Sequence, residues 1–248
     1  MLITVALGFV LGMVLGSFVK ATADRLMTEE SLGGRSHCTS CKKMLAWYDL
    51  LPFVSYLLLQ GKCRYCHKKI PFDVFLTEVI LGVLTAGLFW VNPVLNLNLV
   101  FQLFILIVIS IVFIVDLKTG YIFDKITYLA SIIAGLYALV TQSYLAFACG
   151  LGLAGLFYLL IVITKGKGMG FGDVKYVLFL GLALGFPNSL IAVMLSFFIG
   201  AIFALFLIIF GKKHFGQTLP FGPFLSLGAL IVIFWGQQIL DWYLKFMG

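Results

Sequence analysis

Of the ten Asp and Glu residues in the 248-residue chain, four fall in or beside long apolar runs: Glu78, Asp116, Asp124 and Asp173. Asp116 closes an apolar run in IVFIVDLKTGYIFD, and Asp173 opens one in MGFGDVK. A carboxylate at the edge of a membrane span is costly and points to function. Two such groups brought together from separate helices cannot both ionise easily, so one keeps a proton near neutral pH. The ionised member can take a proton from water as that water attacks a peptide carbonyl. The protonated member can polarise the carbonyl and then help the amine leave. Taken singly, each aspartate is an ordinary solvated helix end, and KGKGMG before Asp173 is an ordinary flexible loop. Gly170 and Gly172, on either side of Phe171, carry no side chain, so an extended peptide can approach this backbone closely.

A second chemistry-bearing group is CTSC and CRYC, whose cysteines are Cys38, Cys41, Cys63 and Cys66, with 21 residues between the pairs. Each pair can supply two adjacent corners of a tetrahedron from one tight turn, so the spacing reads as a four-thiolate zinc site. Two disulfides or a redox-active pair are the competing readings. Four thiolates fill the zinc shell and leave no open position for water, which makes this zinc structural. His37 and His67 adjoin the ligands and read as surface residues. Cys149 lies in an apolar run and reads as a packing residue.

These groups need a scaffold, and composition says which kind. The chain is 62% hydrophobic and 11% charged, with a mean hydropathy of +1.12. A soluble domain carries about a quarter charged residues. The apolar runs lack strand alternation, so the expected fold is an all-α polytopic membrane protein of roughly eight helices. The expected spans are 2–19, 74–91, 98–115, 126–141, 144–163, 174–186, 189–210 and 221–240. The sixth is short and must be tilted, shielded by protein or partly unwound. The first has no basic residue before it and reads as a retained span, not a cleaved leader. The expected division is a first membrane helix over 1–23, a cytosolic zinc-ribbon-like insert over 24–72, and a membrane core over 73–248. An insert so small has little core of its own, and a metal would order it.

Orientation follows from charge. Sixteen of the 17 Lys and Arg residues fall in the segments after the first, third, fifth and seventh spans, and only Lys245 lies on the other side. Loops rich in Lys and Arg stay in the cytoplasm. The N-terminus is therefore expected outside, with the insert, Asp116 and Asp173 at the cytoplasmic face. The net charge of +7 is then a matter of topology, and no nucleic-acid partner is needed to explain it. Lys212, Lys213 and His214 read as a solvated turn on the same face.

The segments GMGFGDVK and IVDLKTGYIFD resemble the GxGD intramembrane aspartyl proteases. Together with SHCTSCKKMLAWYDLLPFVSYLLLQGKCRYCHKKI, and with GSFVKATADRL and LPFGPFLSLGAL near the two ends, the chain is similar to the type IV prepilin peptidases over about residues 8 to 230. That resemblance implies an enzyme of the bacterial cell membrane with two activities. It cuts the short basic leader of a prepilin or competence pseudopilin on the cytoplasmic side, after a glycine. It then methylates the new amino terminus with S-adenosylmethionine. The resemblance assigns catalysis to Asp116 and Asp173, the active-site loop to Gly170, Phe171 and Gly172, and zinc ligation to the four cysteines. Lys20 and Phe123 depart from the family pattern, which more often has asparagine and proline there. No glycine-rich nucleotide loop marks a site for the methyl donor.

Glu78, just inside the second span, is a candidate contact for the freed amine or the methyl donor, with snorkelling to the interface as the plain alternative. Asp124, eight residues beyond Asp116, competes with it for the dyad and reads as a loop or supporting residue. Gly8, Gly12 and Gly16 recur on one face of the first helix and permit close packing. Two other functions fit parts of the pattern. A cation- or proton-coupled transporter would use paired intramembrane aspartates, but it leaves the glycine loop and the cysteines unexplained. A zinc-bearing assembly scaffold would make both aspartates incidental.

Overall fold

The computed structural model describes residues 1–38, 40–50, 52–166, 168–210 and 219–247. The expected turn at Lys212, Lys213 and His214 lies outside the described residues. The chain divides into two compact units, residues 1–107 and 108–248. Among the described residues there is no β-strand, only two isolated bridges, His37 with Met44 and Lys62 with Lys69.

The first unit is built on α1 (Leu2–Met27) and α3 (Phe72–Val91), with a short turn at Trp47–Leu50, the one-turn helix α2 (Val54–Leu58) and the start of α4 (Leu97–Thr119). Helices α1 and α3 meet along the glycine face. A Cβ at Gly12 would collide with the carbonyl oxygen of Leu81, and one at Gly16 would lie 2.6 Å from Glu78 Cα. Only glycine lets two backbones come this close. Helix α1 runs past its expected end at residue 19. Lys20 pairs with Asp24 one turn on and with Asp73 at 3.6 Å, although Lys20 itself is buried. An i,i+4 ion pair on a helix face extends the helix beyond its apolar part.

The second unit holds the rest of α4, then α5 (Asp124–Val140), α6 (Leu145–Ile163), α7 (Phe171–Leu184), α8 (Asn188–Ile209) and α9 (Gly222–Met247). Among the described residues, six helices are long and apolar enough to cross a membrane, namely α1, α3, α4, α6, α8 and α9. With α5 at 17 residues and α7 at 14, the expected set of about eight is recovered. At 1.5 Å per residue α7 spans only about 21 Å, less than a hydrocarbon core of about 30 Å.

Packing explains how so short a helix is tolerated. Helix α7 packs against α5, α6, α8 and α9, and its Tyr176, Val177, Phe179 and Leu180 have no exposed surface. It is enclosed by protein, which settles the expectation in favour of shielding. Its closest approach is to α6, where a Cβ at Gly181 would lie 2.5 Å from Gly150 Cα.

Candidate active site and metal centre

Asp116 comes from the last turn of α4, and Asp173 from the first turn of α7. Both are buried, at 3% and 7% exposure. The structure brings their surroundings together: Ile122 packs against Gly172, next to Asp173, and against Gly222, which touches Asp116. Each aspartate is held by one glycine. The Gly170 N–H donates to Asp173 Oδ2 at 3.1 Å, and the Gly222 N–H donates to Asp116 Oδ2 at 2.9 Å. The first of these is a local helix cap, since Asp173 reaches back three residues to the residue before α7. The second is long-range and joins the end of α4 to the start of α9. Ile122 sits between the two glycines. Its side chain lies 3.0 Å from where a Cβ at Gly172 would stand and 3.2 Å from one at Gly222.

Phe171, in the GFGD loop, is exposed and meets Tyr158 edge-on. Asp124, at the start of α5, takes a different partner. Its Oδ1 accepts from Lys175 Nζ at 2.7 Å, and that ammonium lies 5.0 Å over the Phe171 ring and 5.1 Å over Tyr128. The structure therefore sets Asp124 against a lysine beside the glycine loop, and Asp116 against Gly222.

The sequence reading missed the far side of the site. Gly222 touches Asp116 directly, Ser226 Oγ donates to the Gly222 carbonyl at 2.9 Å, and Tyr176 Oη lies 2.8 Å from Ser226 Oγ. The available signal was FGP in LPFGPFLSLGAL: a glycine just before a proline marks a helix start at which a backbone N–H is free.

In the insert, each cysteine pair sits on the same backbone turn. The Cys38 N–H donates to Lys43 O at 3.0 Å and the Lys42 N–H to Cys38 O at 2.8 Å. The Cys63 N–H donates to Lys68 O at 2.9 Å and the His67 N–H to Cys63 O at 2.9 Å. Lys42 and His67 share a left-handed backbone, with φ of 57° and 54°. This conformation costs a non-glycine residue about 1–3 kcal/mol, so the surroundings must enforce it. The four sulfurs lie within 4.8 Å of one another, and Cys38 and Cys66 are 3.8 Å apart. Zinc with Zn–S bonds of about 2.3 Å sets its sulfurs about 3.8 Å apart, so the donor set fits the metal. A disulfide needs about 2.05 Å.

The electrostatics agree with that fit. Burial opposes the Cys38 thiolate, but the backbone N–H groups of Cys41 and Ser40 outweigh it and bring the thiol down to about 7. At Cys66 a backbone bond at Lys68 favours the thiolate, but desolvation and the three neighbouring sulfurs prevail and push the thiol up to about 11. One thiolate forms readily and further ones repel it, a balance that a bound cation reverses. From Thr28 to Pro71, Cys63 is the one buried hydrophobic residue among those described. Among its described residues the insert thus has no apolar core to replace a metal. Asp49 adds a polar brace, accepting from Arg64 Nε at 2.6 Å and from the Ala46 N–H at 3.2 Å.

Glu78 faces the insert from α3. It is buried, and its Oε2 accepts the Phe53 N–H at 2.8 Å. Cys149 lines an apolar groove of about 550 Å³ together with Leu145, Leu153, Leu156, Phe186 and Leu190. These walls offer nothing to the charged groups of S-adenosylmethionine, so the groove does not fit the methyl donor.

Residues 10–92 match the Bacterial Peptidase A24 N-terminal domain, and residues 103–205 match the Type IV leader peptidase family. The chain is similar to a prepilin leader peptidase/N-methyltransferase of Aeromonas salmonicida (strain A449), at 30% identity over 85% of this chain and 75% of the relative. It is similar to one of Legionella pneumophila, at 33% over 86% and 76%. It is also similar to one of Bacillus subtilis (strain 168), at 27% over 96% of each. No solved structure matches.

Proposed function

Because the chain belongs to the type IV leader peptidase family, we propose that it is a multi-pass membrane aspartyl endopeptidase. It removes the leader of type IV prepilins or competence pseudopilins after a glycine, and N-methylates the new terminal residue with S-adenosylmethionine. The observation that carries the peptidase reading is a pair of buried carboxylates from separate helices, each fixed by one glycine N–H, with Ile122 packed against both glycine segments. Nothing in this arrangement favours the transporter alternative.

Asp116 and Asp173 share one proton. The ionised carboxylate takes a proton from the attacking water, and the protonated one donates to the scissile carbonyl oxygen. Collapse of the tetrahedral adduct returns a proton to the leaving amine. Among the described residues, the hydrogen bonds to the pair fall on Oδ2 in each case, which leaves each Oδ1 for the shared proton and the water. Gly170, Phe171 and Gly172 line the path of the extended substrate. Glu78 and Asp124 are supporting residues, Glu78 by holding Phe53 and Asp124 by holding Lys175 beside the glycine loop. Cys38, Cys41, Cys63 and Cys66 hold zinc, which orders the insert and takes no part in cleavage. Residues 1–23 are the first membrane helix, 24–72 the zinc insert and 73–248 the aspartyl core. The N-terminus lies outside, and the insert and dyad face the cytoplasm, supported by the placement of 16 of the 17 basic residues.

The test is to incubate the purified full-length chain with a prepilin, with and without S-adenosylmethionine, and to read both reactions by mass spectrometry. The expected result is a shortened product that gains one methyl group only with the donor. Asp116→Asn and Asp173→Asn should leave the prepilin intact, while Asp173→Asn still methylates a pre-cut pilin. An uncut prepilin with the unmodified chain would remove the reading, and cleavage by Asp116→Asn would remove that residue from the dyad.

A further inference from the structure

Gly222 lies 106 residues from Asp116 in sequence, yet its N–H donates to Asp116 Oδ2 at 2.9 Å in a buried setting. Its lack of a side chain matters as much as its N–H. A Cβ on Gly222 would stand 2.6 Å from Asp116 Oδ2 and 3.1 Å from its Cγ. The carboxylate occupies the space that any other residue would fill. Gly222 is itself fixed by its carbonyl, which accepts from Ser226 Oγ at 2.9 Å. Ser226 in turn meets the Tyr176 hydroxyl at 2.8 Å, and both residues are buried. Tyr176 sits on α7, one turn after Asp173. The helix that carries one aspartate thus grips the residue that holds the other.

We propose that Gly222 is the positioning residue for Asp116, and that Tyr176 and Ser226 clamp it so that the geometry of Asp116 is tied to the helix bearing Asp173. This deepens the peptidase reading and rests on it. The relay has a definite mechanical content. If Gly222 moves or gains a side chain, Asp116 Oδ2 loses its donor or is pushed from its place. If the Tyr176–Ser226 contact is lost, the start of α9 loses this hydrogen-bonded link to α7. A displacement of about 1 Å at a reacting group costs about a hundredfold in rate.

The experiment measures kcat, KM and the pH profile of kcat for the full-length chain and its Gly222→Ala and Ser226→Ala variants. The substrate is a synthetic prepilin peptide in detergent, and thermal melting is read alongside. Gly222→Ala should lower kcat about a hundredfold, with KM within about twofold because uniform binding is untouched. It should also move a limb of the pH profile, because the carboxylate's hydrogen bond and its distance from the second carboxylate both set the dyad's titration. Ser226→Ala should shift the same limb with a smaller loss of kcat. A Gly222→Ala variant with unchanged kcat and pH profile would overturn the proposal. So would a fall in kcat that merely tracks a fall in melting temperature, with the profile unmoved. Should Gly222→Ala not fold, Ser226→Ala decides, since it adds no bulk, and an unmoved profile there would overturn the proposal as well. Cleavage surviving Asp116→Asn would instead defeat the dyad, and so separates failure of the underlying reading from failure of this one.

Discussion

Glu78→Ala removes a buried carboxylate whose Oε2 holds the Phe53 N–H at 2.8 Å. A hydrogen bond to a charged group contributes about 1.5–3 kcal/mol net. Phe53 also sits in a left-handed conformation, with φ of 62°, and for a non-glycine residue such strain is released when the holding contact goes. Both effects favour opening at this point. At 1.36 kcal/mol per factor of ten, local opening should rise roughly 10- to 150-fold. Glu78→Gln keeps an oxygen acceptor, and a neutral bond still contributes about 0.5–1.5 kcal/mol, so its effect should be clearly smaller. The assay is hydrogen–deuterium exchange by mass spectrometry on the full-length chain in detergent, following the peptide that contains Phe53 with α6 as reference. Exchange there should accelerate in Glu78→Ala and much less in Glu78→Gln. Unchanged exchange in Glu78→Ala, or equal acceleration in both variants, would refute the reasoning. Loss of methylation in Glu78→Gln with exchange unchanged would show instead that Glu78 touches the methyl donor or the freed amine.

The purified chain should carry one tightly bound zinc, lost when Cys38 and Cys41 are both changed to serine; elemental analysis finding no zinc in the unmodified chain would sink the site. Gly181→Ala should destabilise by about 1–3 kcal/mol or more through overpacking against Gly150, whereas Gly152→Ala, with open space at that position, should gain up to about 1 kcal/mol of helix propensity. Thermal melts of the two variants should move in opposite directions. Asp124→Asn breaks a half-exposed ion pair with Lys175, a contact of about 1 kcal/mol or less, so prepilin cleavage should persist at a comparable rate; complete loss would make Asp124 a dyad member.

What the sequence could show divides along physical lines. The four cysteines were legible because a metal demands fixed ligand types at short, regular spacing, and each pair is local. The glycine face of α1 was legible because its period is that of the helix, although nothing in the sequence said that α3 would be the partner. Asp116 and Asp173 stood out because a carboxylate in an apolar run is rare. Gly222 did not stand out, because its role is to leave space 106 residues away, and a glycine before a proline has many uses. The strained Phe53 was equally hidden. Its conformation comes from Glu78 and the packing behind it, whereas the local sequence LPFVSY favours no left-handed residue there.

The shortness of α7 bears on the chemistry as well as on the packing. Burial of Asp173 comes from the neighbours of α7 and not from its length alone, since Asp116 is likewise buried in the last turn of α4, a helix long enough to cross. At 14 residues, and enclosed by four neighbours, α7 keeps Asp173 and Val174 of its first turn buried, while Phe171 at its start is exposed. The exposed N–H groups and positive dipole end of that turn then favour a carboxylate there, while proximity to Asp116 disfavours a second charge. These opposing influences are what a proton-sharing pair needs, since either one alone would fix the charge state. Keeping α4 and α9 at full span lets them bring Asp116 and Gly222 to the same place from helices that do cross. The site is therefore built where one deliberately short helix stops against the ends of two long ones.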